Sequence, residues 1–252
     1  MEKNSGDKMK IFADYHTHSI YSGDAKGTII ENVEAAKKKG LRELGITDHG
    51  PKHIGYGVKR KNIKKIRKEI DDINRVNTDI KVKFGLEANI IGTDGKIDVD
   101  EEIMKELDIL LAGFHFGSIP DKLIEGAKVQ IYNVLSPLLP SIERKSRVIN
   151  TKAVIEALSK YDIDILTHPG AKASIDTKEV AISAVQNDTA LEINSSHGHL
   201  TVEYIKVAMK EGAKFVISSD AHTPEDIGNV EKGINRAIQA GLSVDRIINA
   251  EE

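Results

Sequence analysis

Short runs of apolar, β-favouring residues alternate along this chain with longer stretches whose apolar positions recur every three or four residues. The short runs are Lys10–Tyr15, Glu43–Thr47, Lys81–Glu87, Asp108–Phe114, Ile163–Thr167, Ala190–Asn194 and Lys214–Ser218. Each has the length and β-rich composition of a strand buried on both faces. The longer stretches are Ile29–Lys39, Asn62–Val76, Val148–Lys160, Lys178–Gln186 and Val202–Lys210. In the first, Ile30, Val33, Ala35 and Ala36 form an apolar side opposite lysines. In the second, Ile63, Ile66, Ile70 and Ile73 recur at helical spacing. Gly40 and Gly212 follow helices where a C′ glycine is favoured.

Seven strand–helix repeats predict a parallel sheet in a single α/β domain. Right-handed crossovers close it most simply as a (βα)7 TIM-like barrel, with an open doubly wound sheet as the alternative. Residues 1–10 read as a polar N-terminal tail and 11–252 as the barrel. Ser118–Arg147, which holds Pro120, Pro137 and Pro140, reads as an irregular insertion.

Composition narrows this picture. The 252 residues suit one large α/β domain. Cysteine is absent, which excludes disulfides, thiolate metal sites and a cysteine nucleophile. With 36 basic and 39 acidic residues the net charge is −3, so nothing marks a globally nucleic-acid-binding surface. The first ten residues lack an apolar segment, and no stretch is apolar enough to span a membrane. A soluble, cytoplasmic protein is expected. Few aromatics and no tryptophan imply an aliphatic core.

The histidines carry the chemistry. His16 and His18 end the first strand as His-Thr-His, and alternate residues of a strand face one way. His49 follows the second strand. Glu87 ends the third, His115 the fourth and His168 the fifth, while Asp220 and His222 follow the seventh. Six of seven strands thus deliver a ligand-type side chain at the C-terminal end, where barrels build their active sites. Structural histidines have no reason to choose one end. Imidazole and carboxylate without sulfur suit Zn, Mn, Fe or Co, and so many ligands imply two or three divalent ions.

In order, His-Thr-His, Thr-Asp-His, Gly-Leu-Glu-Ala-Asn-Ile, Ala-Gly-Phe-His, Thr-His-Pro-Gly and Ser-Asp-Ala-His resemble the motifs of the PHP (polymerase and histidinol phosphatase) family over roughly residues 11–248. The chain looks most similar to its small stand-alone phosphoesterase branch. The resemblance implies a distorted seven-stranded barrel and a trinuclear metal site. One ion would take His16, His18, Glu87 and Asp220. A second would share Glu87 and add His115 and His168. A third would take Asp24, His49 and His222. Asp24 is a departure, since similar proteins can carry histidine there, and its oxygen favours harder metals such as Mn over Zn. The expected reaction is phosphomonoester hydrolysis on a small metabolite by a metal-bridging hydroxide, with no protein nucleophile. Asp220, His222 or a metal-bound water would serve as leaving-group acid.

Other residues carry weaker signals. Asn194, ending the sixth strand, and His197 are read as substrate contacts. Asp14 and Asp48 either hydrogen-bond an imidazole or are solvated strand-end carboxylates. His53 and His199 read as exposed loop residues. Lys59–Lys68 reads as the wet face of a helix. Arg144 and Arg147 either clamp a substrate phosphate or are surface charge, and Gly55-Tyr56-Gly57 reads as a loop near the mouth. Three other functions compete: a nucleotide phosphatase or nuclease using the same metals, a metal hydrolase of amides or lactones, and a degenerate barrel kept for binding. Nucleic acid is not expected as a partner, and oligomeric state is not legible.

Overall fold

The computed structural model of the protein describes residues 9–120, 131–134 and 140–252. In chain order the elements are β1 (Lys10–Ile11), β2 (Ala13–Thr17), α1 (Ile29–Lys38), β3 (Glu43–His49), α2 (Ile63–Val76), β4 (Lys81–Asn89), α3 (Glu101–Met104), β5 (Ile109–Gly113) and α4 (Pro140–Lys160). After these come β6 (Ile165–Leu166), α5 (Thr177–Gln186), β7 (Ala190–Asn194), α6 (Val202–Lys210), β8 (Phe215–Ser218), α7 (Glu231–Ala240) and β9 (Ala250–Glu251). Strands β2 to β8 form one parallel sheet in sequence order, as expected for right-handed crossovers. No helix among the described residues is long and apolar enough to cross a membrane.

The sheet curls into a nearly closed barrel, and the seam between β2 and β8 is stitched by side chain and loop rather than by a ladder. At one end Asn249, fully buried, donates through Nδ2 to the carbonyls of Ala13 and Ile217 (both 2.7 Å) and accepts from the Ile217 N–H (3.1 Å). At the other end the His18 N–H donates to the Ala221 carbonyl (2.8 Å). One asparagine thus does the work of a missing strand residue. Asn249→Leu is expected to cost about 3 kcal/mol, since three hydrogen bonds each contribute roughly 1 kcal/mol and their partners stay buried. In a chain of 252 residues that corresponds to a fall of roughly 6–12 °C in Tm. An unchanged melting temperature would remove Asn249 from the seam.

Most element boundaries match the hydrophobic pattern. Helix α1 starts after a capping box of Thr28 and Glu31. It buries Ile29, Asn32, Val33 and Ala36, whereas Ile30 is exposed. The cap, not the apolar count, fixes that face. In α2 the buried residues are Ile63, Ile66, Ile70 and Ile73, and its basic residues pair outward with Asp71 and Asp72. Gly40 and Gly212 have φ of +74° and +94°, as helix-terminating glycines require.

Differences have physical causes. Lys10, the last residue of the expected tail, pairs with Glu251 in the short β1–β9 ribbon, and residues 1–8 lie outside the described part. The helix expected from Val148 begins at Pro140, because proline is well placed at a helix start. That takes the last part of the expected insertion, 140–147, into α4, while 121–130 and 135–139 lie outside the described residues. Helix α7 went unread. Its buried face is Gly233, Ala237 and Ala240, too small to print an apolar stripe. A Cβ at Gly233 would run into Ile217 and Ser195, so the small residue lets α7 lie close on β7 and β8.

Two apolar layers hold the barrel. Ala13, Tyr15, Ile109, Leu111, Ile165, Ala190 and Val216 pack together. A larger shell, rich in Ile, Leu, Val and Ala, lies between strands and helices. Above the smaller cluster the barrel is polar, and there the site begins.

Candidate metal centre

A β-bulge opens the site. Asp14 pairs with Leu44 and Thr17 with Ile46, so three steps of β2 oppose two of β3. Such a bulge re-aims side chains. Tyr15 joins the smaller apolar cluster, yet the next residue, His16, also reaches the barrel's polar end, where its Nε2 lies 3.3 Å from Glu87 and 3.4 Å from Asp220. Asp14 instead accepts from the N–H and hydroxyl of Ser219 (3.1 and 2.5 Å) and from the Gly228 N–H (2.9 Å). Asp48 accepts from the N–H and hydroxyl of Ser19 (2.7 and 2.8 Å). Neither carboxylate touches an imidazole, and neither is solvated. Both fix the backbone next to a ligand-type residue, Asp220 in one case and His18 in the other.

Glu87, fully buried, sits at the centre. Its Oε1 lies 2.9 Å from His168 Nε2 and 3.1 Å from His115 Nε2, and its Oε2 lies 3.0 Å from His49 Nδ1. His18 Nε2 approaches Asp220 at 3.3 Å. Asp24 Oδ2 lies 3.3 Å from His49 Nε2 and 3.4 Å from His222 Nε2. Three overlapping groups keep their ligand atoms within 4.8 Å of one another: His16, His18 and Asp220; His49, Glu87 and His115; His18, His49 and His222. These groups hold seven of the nine residues expected as ligands, and Asp24 and His168 join them through their contacts with His49, His222 and Glu87.

The donor set fits divalent metal. An ion bound tetrahedrally at roughly 2.0–2.1 Å sets its ligand atoms about 3.3 Å apart, close to the spacings here. Both Glu87 oxygens, His16 Nε2, both His18 nitrogens, Asp24 Oδ1 and His49 Nδ1 are buried without a hydrogen-bond partner. So many orphaned polar atoms in one spot are costly unless something binds them. Burial by itself would raise both central carboxyls. The imidazoles of His115 and His16 beside Glu87, and of His16 and His18 beside Asp220, hold both well below the usual carboxylate range. Burial with the neighbouring His49 draws His18 down to about 3, and burial draws His115 down to about 4, so both are held neutral.

His49 behaves differently. Burial opposes its charge, but the flanking Asp24 and Glu87 carboxylates raise it to about 10. In the metal-free protein at neutral pH it holds a proton that an ion must displace. Apparent metal affinity is therefore expected to rise about tenfold per pH unit between pH 6.5 and 8.5 for each such proton, and to level off near the His49 value. Competition titrations against a chromophoric chelator at three pH values measure this. A flat profile would show that His49 is not a ligand.

Backbone strain is stored at two positions of the cluster. His168 and Asp220 have φ of +28° and +58°, a region costly for non-glycine residues. Gly113 makes room, since a Cβ there would collide with the Thr167 hydroxyl and press on the His168 ring. The strained His168 is pinned by its N–H, which donates to Glu192 Oε2 (2.6 Å).

Glu192 is the residue that sequence reasoning missed. It is fully buried, accepts from His16 Nδ1 (2.7 Å) and from the Asn194 amide (3.0 Å), and so orients two ligand-type histidines. Its signal was a lone carboxylate in the middle of Ala-Leu-Glu-Ile-Asn. Asn194 is buried too. Its Nδ2 donates to Glu192 and Asp220 (3.0 Å each) and its Oδ1 accepts from the N–H groups of Ser196 and His197. Every polar atom is engaged and it does not line the cavity, so the structure places it under the site rather than against a substrate.

The cavity above the cluster has a volume of about 230 Å³. His197 lines it, with Nε2 3.6 Å from Asp220. His53, read as an exposed loop residue, also lines it, stacked on Tyr56 with ring centroids 4.8 Å apart. Its loop is folded inward by the Ile54 N–H donating to the Gly117 carbonyl (3.0 Å). His199 is exposed, as expected. Arg144 and Arg147 are exposed on α4 and do not line the cavity.

Comparison with known proteins agrees with this reading. The family model described as the PHP domain matches residues 14–219. A probable phosphatase of Thermoanaerobacter sp. (strain X514) is 32% identical over 257 residues, covering 96% of this chain and 92% of the relative. A probable phosphatase of Shewanella frigidimarina is 32% identical over 256 residues, covering 96% and 90%. In fold, the chain is similar to histidinol phosphate phosphatase from Lactococcus lactis, solved with zinc, L-histidinol and phosphate. That match has a TM-score of 0.57 and 16% identity, covering 92% of this chain and 94% of that one. Since the family model runs from within β2 to just past β8, the chain belongs to the PHP domain family, and its curated relatives are named probable phosphatases.

Proposed function

We propose that the protein is a metal-dependent phosphomonoesterase acting on a small phosphorylated metabolite. The observation that carries this is Glu87, whose carboxylate lies within 2.9–3.3 Å of four imidazoles, His16, His49, His115 and His168. A carboxylate so surrounded is built to be shared between ions. In this reading His16, His18, Glu87 and Asp220 hold one divalent ion, Glu87, His115 and His168 a second, and Asp24, His49 and His222 a third, with Zn, Mn or Fe as candidates. Such ions supply an acidified water and neutralise charge on the phosphoryl group.

The chain's own residues position and enclose. Glu192 accepts the His16 Nδ1 proton and so leaves Nε2 to face Glu87 and Asp220. His222 Nδ1 lies 3.0 Å from the Asp220 carbonyl, so it donates there and turns Nε2 towards Asp24. That favours a ligand role for His222 over leaving-group acid. His197 belongs to none of the three groups and lines the cavity, placed to contact the substrate.

The test is a hydrolysis screen of metal-analysed protein against phosphomonoesters, a phosphodiester and a lactone, each with added Mn or Zn. Selective phosphomonoester turnover, lost with chelator, is the expected result. Preferred turnover of the diester or the lactone would replace the proposal with a nuclease or a carbon-acyl hydrolase.

A further inference from the structure

Beside the metal cavity lies a second one of about 390 Å³, and the two share Phe116 and Lys172 as lining residues. Their chemistry differs. The first is walled by Asp24, Glu87 and Asp220, the second by Lys172, His199, Thr177, Ser174, Tyr204 and Phe116, with no carboxylate among the described residues that line it. The acid contact recorded for this wall is Ser174, whose hydroxyl donates to Glu143 (2.7 Å).

Lys172 is half-buried and, among the described residues, has no ion-pair partner. Its charge reaches across the second cavity, where burial first and then Lys172 hold His199 below its usual value. A half-buried cation without a carboxylate partner among the described residues, facing a cavity whose described lining holds no acid, leaves an unmatched positive field. The neighbouring cluster is crowded with negative groups, yet they are engaged with imidazoles.

We propose that Lys172 and the cavity beyond it form a subsite for a second anionic group, a carboxylate or phosphate, carried by the leaving alcohol of the substrate. This rests on the phosphomonoesterase reading and deepens it. The reacting phosphate sits over the metal cluster. The leaving group extends past Phe116 and presents its own negative charge to Lys172. L-histidinol, the alcohol held by the Lactococcus protein, carries an ammonium group instead, so histidinol phosphate is disfavoured here by charge.

Three non-hydrolysable probes of one length test this: 3-phosphonopropionate, propylphosphonate and 3-aminopropylphosphonate. They share the phosphonate and differ only in the far group. Calorimetric titration into metal-loaded protein is expected to show the carboxylate probe binding about tenfold tighter than the propyl probe, as for a hydrogen bond to a charged group. The amino probe is expected to bind weakest. Lys172→Ala is expected to bring the first two within about threefold and Lys172→Glu to reverse the order, with a charged hydrogen bond lost in the first and inverted in the second. Equal binding of all three to the wild type would overturn the subsite. So would equal weakening of all three by Lys172→Ala, which assigns the lysine to the reacting phosphate. Phosphomonoester turnover is scored separately. No discrimination by the wild type, with turnover intact, refutes the subsite alone, whereas no turnover of any ester refutes the phosphatase reading as well.

Discussion

Glu87→Ala is expected to lower phosphomonoester kcat/KM by at least about 10³-fold, the scale on which losing a preorganised charge at a reacting centre is felt. The bound metal is expected to fall by at least one ion per chain. Four imidazoles lie within 3.3 Å of it, and its carboxylate is the shared element of two of the proposed sites. The loss has two layers. Alanine removes both oxygens from positions where His115 and His168 stand at 3.1 and 2.9 Å, and it leaves His49 facing Asp24 alone. Fewer ions are held, and those that remain are held from one side. Glu87→Gln separates shape from charge. It keeps the volume but presents an amide N–H to imidazoles whose lone pairs are needed for metal, so it is expected to fall nearly as far. Metal analysis and initial rates on the same preparations, with circular dichroism to confirm the fold, decide the matter. Full activity in either variant would show that Glu87 bridges nothing.

The sequence printed the cluster of candidate ligands because their placement is a property of barrel topology. Parallel strands in sequence order must present their C-terminal ends together, so His16, His49, Glu87, His115 and His168 had to converge once seven strands were recognised. What it did not print depends on which way a side chain faces. The bulge at Tyr15 and His16 breaks the alternation of β2, and Asp14, read as an imidazole partner or a solvated carboxylate, is buried against Ser219 instead. Asn194 was placed at the right end of the right strand, but its amide is consumed by Glu192 and Asp220 below the cavity. Helix α7 was silent because close packing there uses glycine and alanine. Asn249 was silent for the opposite reason, since a lone asparagine near a chain end looks like solvent-facing polarity until the seam between Ala13 and Ile217 is seen.

Glu192→Gln is expected to weaken metal binding by about 10- to 100-fold and to lower kcat/KM over a similar range, as loss of a partner behind a metal-binding histidine does. The argument is one of hydrogen-bond polarity. Glu192 Oε1 faces His16 Nδ1 at 2.7 Å, while Oε2 faces the His168 N–H at 2.6 Å and the Asn194 amide at 3.0 Å. All three partners donate, so the position requires two acceptors, and glutamine supplies one. With its NH2 towards His16, it would force the proton onto Nε2, the atom that must face Glu87 and Asp220. With its NH2 towards His168, it would set donor against donor at a residue already held at a φ of +28°. Either orientation disturbs a ligand that Glu192 never shares an ion with. The fold is expected to survive, because the side chain keeps its volume and one of its contacts. Metal titration and thermal melting of the variant therefore part company if the argument holds. Wild-type metal affinity in Glu192→Gln would show that neither His16 nor His168 depends on that buried carboxylate for its orientation.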